Sequence, residues 1–295
     1  MPNEISYASK YAPELDKVIM QGAKTGFFAD GKFKAQFTGA KTVLLPELSL
    51  VGLGDYDRAT GYSKGDVGLT RTEYTLTMER SKQLIIDAQD ADESGVGNLV
   101  GQTVGEYTRL KVNPEIDAYV LSTLYGVAKG KSHTVKFAEA TAVEQMLKSI
   151  NDAEAAAGYT NEQMVAFVDP IMYAALMTSD KLQRHITVSD FKQGEVNLKV
   201  KSLNGVAIIP VAADRMKSVF TFGEEGFEAG EGAVDVNAII LPKSAASLVK
   251  KVDKVNVYSP DVVQDLDAYK INFRLYYDCF VTTAHKGLIF AISGE

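Results

Sequence analysis

Two strand-like runs separated by a polar, glycine-rich insert constrain this chain more than any other feature. Lys41–Leu50 (KTVLLPELSL) and Thr70–Met78 (TRTEYTLTM) flank Val51–Leu69, which holds Gly52, Gly54, Gly61, Gly65 and Gly68 with Asp55, Asp57 and Asp66 among them. The second run alternates, with Tyr74, Leu76 and Met78 on one side and Glu73, Thr75 and Thr77 on the other. That period of two predicts a strand. Together the runs predict a long two-stranded ribbon with a wide tip. A lone ribbon is marginal in water, because its edges stay unpaired and its faces stay wet. No nearby stretch of sequence supplies a cover, so the expectation is that another subunit does and that the chain assembles.

The rest of the chain has the means to fold. Its 295 residues are 46% hydrophobic, enough for one large domain or two ordinary ones. A charged fraction of 23% and 24 glycines lie far from the composition of disordered chains. The net charge of −7 argues against a dedicated nucleic-acid reader. It leaves room for a shell whose inner wall tolerates nucleic acid. With a single cysteine, Cys279, no intrachain disulfide can form. Its apolar setting, Leu275–Val281, reads as that of a small buried hydrophobe rather than a reactive thiol. The opening Met-Pro-Asn-Glu lacks the basic and apolar parts of a signal peptide. The longest apolar run, Ile171–Met177, is seven residues, far short of the roughly 20 needed to cross a bilayer. The reading is a soluble protein made inside the cell.

Residues 1–36 read as an arm, with a helix over Tyr11–Ala23 loosened by Gly22, Gly26 and Gly31. After the ribbon, Lys82–Asp87 predicts a short strand and Asp87–Gly97 an acidic linker. Leu99–Val127 is the longest helical signal, with Ile116, Tyr119, Val120, Leu124 and Val127 on one face. Pro114 predicts a bend or a break around Asn113. A second helix is predicted over Ala138–Ala157, with Val143, Met146, Leu147 and Ile150 as its stripe and Gly158 as its stop. Met164–Val168 predicts a buried strand. Asp169-Pro170 then supplies an N-cap and a first-turn proline for a helix over Ile171–Leu182. Gly205–Val211 predicts a strand that ends, or forms an edge, at Pro210. Phe222–Asp235 reads as an acidic glycine-rich loop. Three β-like stretches close the chain, Ser247–Tyr258, Ala268–Thr282 and Leu288–Ile292, and are expected to pack on the two long helices.

Motifs that imitate chemistry fail on spacing or context. Gly126-Val-Ala-Lys-Gly-Lys-Ser132 is one residue short of a phosphate-binding loop and leaves a helix instead of a strand, so it reads as a helix-terminating turn. Gly95, Gly97 and Gly101 are one residue too long for a dinucleotide fingerprint and follow an acidic linker. Asp55, Asp57 and Asp66 place Ala59 and Gly61 where a calcium loop needs other residues, so they read as solvated turn carboxylates. The three histidines, His133, His185 and His285, form no metal-binding spacing. Lys250, Lys251 and Lys254 read as a solvated strand face rather than a nucleic-acid site. No catalytic, cofactor-binding or metal residue is assigned, and the chain is read as a non-enzyme.

The order of these parts resembles the major capsid protein of tailed bacteriophages, an α+β architecture with the HK97-like fold. The resemblance also rests on phrases. They are Asn113-Pro114-Glu-Ile-Asp-Ala-Tyr119, Val168-Asp169-Pro170 with Tyr173-Ala-Ala-Leu176, and Lys270-Ile-Asn-Phe-Arg-Leu-Tyr-Tyr-Asp278 with Lys286-Gly287-Leu-Ile-Phe. It implies an N-terminal arm at 1–36 and an extended loop at 37–86. A peripheral domain is implied at 87–163 with a spine helix at 99–127, an axial domain at 164–244, and returning peripheral strands at 245–295. It further implies hexameric and pentameric capsomers of the chain itself, with arm and loop over neighbours. The implied setting is a virion capsid around double-stranded DNA, with a portal, and with a decoration protein among the partners such shells take. Only about 36 residues precede the loop, so the fused scaffolding domain of some relatives is not expected, and a separate scaffold or none is implied. Lys64, near the tip, is a candidate for the cross-linking lysine of certain relatives, against the plainer reading of a solvated turn lysine. Two other classes stand beside this one: an encapsulin-like nanocompartment enclosing an enzyme, and a soluble α/β enzyme.

Overall fold

The structure is a computed structural model that describes residues 23–30, 36–37, 41–49, 52, 54–56, 58, 62, 68–93, 99–158, 163–179, 186–193, 196–263 and 266–294. In chain order its first elements are β1 (Gln36–Phe37), β2 (Thr42–Ser49), β3 (Gly68–Thr75), β4 (Met78–Asp87), α1 (Ala88–Glu93) and α2 (Leu99–Tyr107). A π turn over Thr108–Val112 leads into α3 (Asn113–Gly130), followed by β5 (Thr134–Lys136), α4 (Ala142–Ala156), β6 (Met164–Val168) and α5 (Pro170–Thr178). Then come β7 (Ile186–Gln193), β8 (Val196–Leu203), β9 (Val206–Pro210), β10 (Phe220–Gly223) and β11 (Gly226–Ala229). The last are β12 (Val236–Pro242), β13 (Ala246–Tyr258), β14 (Ala268–Val281) and β15 (Phe290–Ser293).

The predicted ribbon is present. Strands β2 and β3 pair antiparallel from Thr42↔Thr75 to Ser49↔Gly68, and β1 adds to the outer side of β2. The second run ends earlier than its alternation suggests, because Leu76 and Thr77 break the ladder. The chain then re-enters as β4, a ten-residue strand rather than the short Lys82–Asp87 segment expected. Strand β4 pairs with β14, and β14 with β13, so the ribbon grows out of a three-stranded sheet. The ladder of β4 is therefore made with a strand almost two hundred residues away, a pairing no local pattern can announce.

A seven-stranded mixed sheet, ordered β5-β15-β12-β6-β9-β8-β7, forms the other half of the molecule. Its central strands β6 and β12 are buried throughout, hence their unbroken apolar sequences. Val165 and Phe167 turn to the face carrying α3, while Met164, Ala166 and Val168 turn to the face carrying α4 and α5. The helix α3 thus lies between two sheets, with Val120, Leu121 and Leu124 in the buried cluster to which both sheets contribute. Of the closing stretches, β13 and β14 belong to the three-stranded sheet. The last, β15, joins the seven-stranded one instead, beside β12 and parallel to β5.

The predicted break at Pro114 does not occur. The backbone stays helical through Tyr107, Val112 and Asn113, and the Asn113 N–H donates to the Thr108 carbonyl, five residues back. Widening one turn to π geometry makes room for the proline ring and the missing donor without ending the helix. Helix α4 starts later than predicted, after a 3-10 turn at Glu139–Thr141. It buries Ala142, Met146, Ser149, Ile150 and Ala153, and leaves Val143 and Leu147 half-buried. Gly158, at φ +69°, is its stop. Asp169 caps α5 by accepting the Met172 N–H at 2.7 Å, but that helix ends at Thr178, short of Leu182. Pro210 ends β9 and marks no edge, since β9 lies between β6 and β8. The acidic stretch 222–235 is not a plain loop, because β10 and β11 pair within it as a tight hairpin.

Candidate assembly interface

The root of the ribbon is welded to the body by apolar packing. Val43, Leu45 and Leu76 are completely buried against Val249, Tyr276 and Phe280 of the three-stranded sheet. The Tyr74 and Phe280 rings meet at 4.9 Å, a pair worth roughly 1 kcal/mol beyond its area. This corrects the expectation that only a neighbour could cover the ribbon. Its own C-terminal strands cover the root.

A polar node pins the Leu76–Thr77 break. The Asp278 carboxylate accepts the Thr77 N–H at 2.8 Å, the Thr77 hydroxyl at 2.9 Å, the Tyr119 hydroxyl at 2.7 Å and the Cys279 N–H at 2.7 Å. Tyr119 comes from α3, so one carboxylate ties ribbon, helix and sheet together. Burial pushes the Tyr119 hydroxyl far above its ordinary pKa, which keeps it a neutral donor. The Tyr276 hydroxyl adds a bond to the Leu76 carbonyl at 3.2 Å. Asp278 was not singled out in the sequence. Its signal was present, a lone carboxylate inside the apolar stretch Leu275–Val281.

A second node holds the N-terminal segment. Asp117 on α3 is fully buried and accepts the Thr25 N–H at 2.9 Å, the Thr25 hydroxyl at 2.8 Å, the Lys24 N–H at 3.2 Å and Arg215 Nη1 at 3.1 Å. Desolvation outweighs these donors and pushes the carboxyl above its ordinary range. Phe27 and Phe28 pack on Phe167, with ring centroids about 6 Å apart. The expected arm, 1–36, therefore does not run loose throughout, since Ala23, Phe27 and Phe28 are part of the core. The helix expected over Tyr11–Ala23 lies outside the described residues.

Beyond the root, the ribbon presents apolar groups to solvent. Leu69 is 62% exposed, Tyr56 62% and Tyr62 88%, with the two tyrosine rings edge to face at 5.2 Å. Asp55 and Gly54 are exposed beside them. Lys64, Asp57 and Asp66 lie outside the described residues, as do His185, Gly95 and Gly97.

The imitation motifs dissolve in the structure. Gly126 to Gly130 are the last turns of α3, and Ser132, at φ +60°, turns the chain into β5. Gly101 sits in α2. A β-bulge at Lys250–Val252 scatters the lysine cluster. Lys250 pairs with Asp253 at 2.6 Å, Lys251 lies over the Phe37 ring, and Lys254 alone faces solvent fully. His133 stacks on Phe290, and His285 Nδ1 meets the Thr282 hydroxyl at 2.6 Å. Cys279 is buried and its thiol is driven well above its usual pKa, so it carries no nucleophilic chemistry. Among the described residues no cluster of three or more His, Cys, Asp or Glu side chains could hold a metal, and no helix is long and apolar enough to cross a membrane.

No family model matches the sequence, and no curated protein matches it either. Solved structures do. The capsid of the cyanophage P-SCSP1u aligns at TM-score 0.60 and 12% identity over 87% of this chain and 84% of its own. The mature capsid of bacteriophage PhiM1 aligns at TM-score 0.55 and 14% identity over 86% and 82%. The SrpI encapsulin of Synechococcus elongatus PCC 7942 aligns at TM-score 0.52 and 10% identity over 88% and 84%. With an α3 spine between two sheets and a ribbon projecting from one of them, the chain has the α+β HK97-like fold of these shells.

Proposed function

We propose that this chain is the major capsid protein of a tailed phage or prophage, a structural subunit that assembles into an icosahedral shell around double-stranded DNA. The ribbon carries the reading. Its root is buried in its own subunit, while its distal half holds out Leu69, Tyr56 and Tyr62 with no cover among the described residues. Heterologous contacts of that half with neighbours, repeated around five- and six-fold axes, close a shell. Many modest contacts per subunit then add through multivalency. In this reading residues 87–163, with the spine helix, and the returning strands of 245–295 are the peripheral domain, and residues 164–244 are the axial domain, which supplies the capsomer centres. DNA is held without sequence contacts on the inner face, and a portal, a separate scaffold and a decoration protein are the further partners. The chain has no catalytic role and takes no cofactor, and its place is the virion capsid, after synthesis in the host cytoplasm.

A second reading, a nanocompartment shell enclosing a cargo enzyme, draws support from the likeness to the encapsulin. Light scattering and negative-stain microscopy on the chain expressed alone, and with any neighbouring scaffold gene, separate the possibilities. Megadalton shells, tubes or capsomer rings are expected. Particles that copurify with one protein cargo would favour the nanocompartment. A persistent monomer or dimer in both preparations would overturn both readings.

A further inference from the structure

The hairpin β10–β11 lies in sequence between β9 and β12 of the seven-stranded sheet, yet its turn is gripped from the stem of the ribbon. Arg80 on β4 does this with one guanidinium. Its Nε donates to Glu115 Oε1 at 2.6 Å and its Nη2 to Glu115 Oε2 at 3.3 Å, a fork onto the spine helix. The same Nη2 donates to the Gly223 carbonyl at 2.6 Å and reaches the Gly226 carbonyl at 3.4 Å. Those two residues face each other across the hairpin turn. Lys82 Nζ adds the Glu224 carbonyl at 3.3 Å. Gly226, at φ +129°, holds a conformation closed to residues with a side chain, so the turn can present its carbonyls toward β4.

Behind this grip there is room. A groove of about 820 Å³ lies among the hairpin, the π turn and the three-stranded sheet, lined by Arg80, Tyr107, Asn113, Glu115, Glu225 and Tyr277 among others. Asn113 Oδ1 and the Tyr277 hydroxyl, both on lining residues, are buried and make no hydrogen bond. Leaving them unmet is a standing cost of the closed arrangement. It is offset by a charge-assisted fork that is strong only while its geometry is bidentate. An element whose turn is held, among the described residues, by side chains from β4 alone, beside open space and with unmet polar groups nearby, has two positions available.

We propose that Arg80 is a latch and the β10–β11 hairpin a strap. Closed, the latch ties the hairpin turn to β4 and the spine helix. Open, it frees the hairpin while β4 stays paired with β14. Resting on the capsid reading, that freedom lets the hairpin take different settings where one chain fills non-equivalent positions in a shell.

Hydrogen-exchange mass spectrometry on the unassembled full chain tests the latch independently of any shell. Arg80→Lys keeps the charge but loses the fork, and Glu115→Gln loses the ion pair while keeping the shape. In both, peptides covering 220–229 are expected to exchange at least tenfold faster, with 78–84, 164–168 and 236–242 unchanged. Unchanged exchange at 220–229 would overturn the latch. Faster exchange everywhere would also overturn it, by making Arg80 a support of the whole fold. Electron microscopy of assembled particles then reads the shell part. A broadened diameter distribution for Arg80→Lys is expected, and particles as uniform as wild type despite faster exchange would remove that role. Should the wild-type chain form no particles, the capsid reading fails while the exchange result still decides the latch.

Discussion

The two ends of the ribbon are made of similar residues and live in opposite environments. At the root, Leu45 and Leu76 touch only protein, and at the far end Leu69 and Tyr62 touch mostly solvent. Leu45 and Leu69 lie on the same β2–β3 ladder, so strand pairing does not distinguish the two ends. What differs is the second layer. Val249, Tyr276 and Phe280 stand behind the root, and no described side chain stands behind the tip. A subunit stabilises itself with the first half of the ribbon and holds out the second half for something else.

That contrast is sharpest in stability. Leu76→Ala removes a fully buried side chain at the turning point between β3 and β4 and should cost about 2–5 kcal/mol. Leu69→Ala should stay within about 0.5 kcal/mol in the unassembled subunit. Urea midpoints of the two variants measure this directly. Equal losses would mean that the tip packs on its own subunit in solution, and the comparison would collapse.

Next in size is the polar clamp. Tyr119→Phe leaves the Thr77 and Cys279 bonds to Asp278 but deletes the donor from the spine helix. The expected cost is about 1.5–3 kcal/mol, the value of one hydrogen bond to a charged group. Proteolysis should find the variant's ribbon more readily than the wild type's. A variant as stable and as resistant as wild type would show that apolar packing alone sets the root.

The other anchor of the spine helix, Asp117, gives a smaller and pH-dependent effect. Because burial raises its carboxyl above the ordinary 3.8, the folded state binds this proton more tightly than the unfolded state. Its contribution is then fully present below about 3.8 and is lost as pH rises through the folded-state value, the reverse of an exposed salt-bridged carboxylate. The stability of wild type relative to Asp117→Asn should therefore rise from pH 7 to pH 4. A relative stability that falls toward acid would mean that Arg215 and the Thr25 donors outweigh desolvation.

Much of this architecture was legible in the sequence because it is local. The ribbon followed from alternation through Tyr74 and Leu76, the spine from the spacing of Ile116, Val120 and Leu124, and α5 from Asp169-Pro170. The misses are non-local or cooperative. Pro114 announces a bend or a break, and a π turn at Thr108–Val112 keeps the helix continuous where a break was open. Strand β4 looks short because Glu79, Arg80 and Ser81 are polar. Their partners are Tyr276, Leu275 and Arg274 on a distant strand, which holds them in line. The nodes at Asp278 and Asp117 were missed for a similar reason. A carboxylate amid apolar residues shows that a partner must exist without saying where it is.

The tip itself should barely register in stability, which makes it the most informative test of assembly. Replacing both Tyr56 and Tyr62 with serine removes large exposed rings whose main contact is with each other. Unfolding of the isolated subunit should move by no more than about 0.5 kcal/mol. Aromatic anchors dominate binding where they become buried by a partner, and each subunit repeats the contact around the shell. The concentration needed for assembly, followed by light scattering, should therefore rise at least tenfold. If assembly were untouched, the neighbour would have to be gripped by the flanks of β3 around Leu69 and Arg71, and the tip would be a spacer. If instead the isolated subunit lost as much stability as Leu76→Ala, root and tip would be one folding unit, and the division of labour along the ribbon would be wrong.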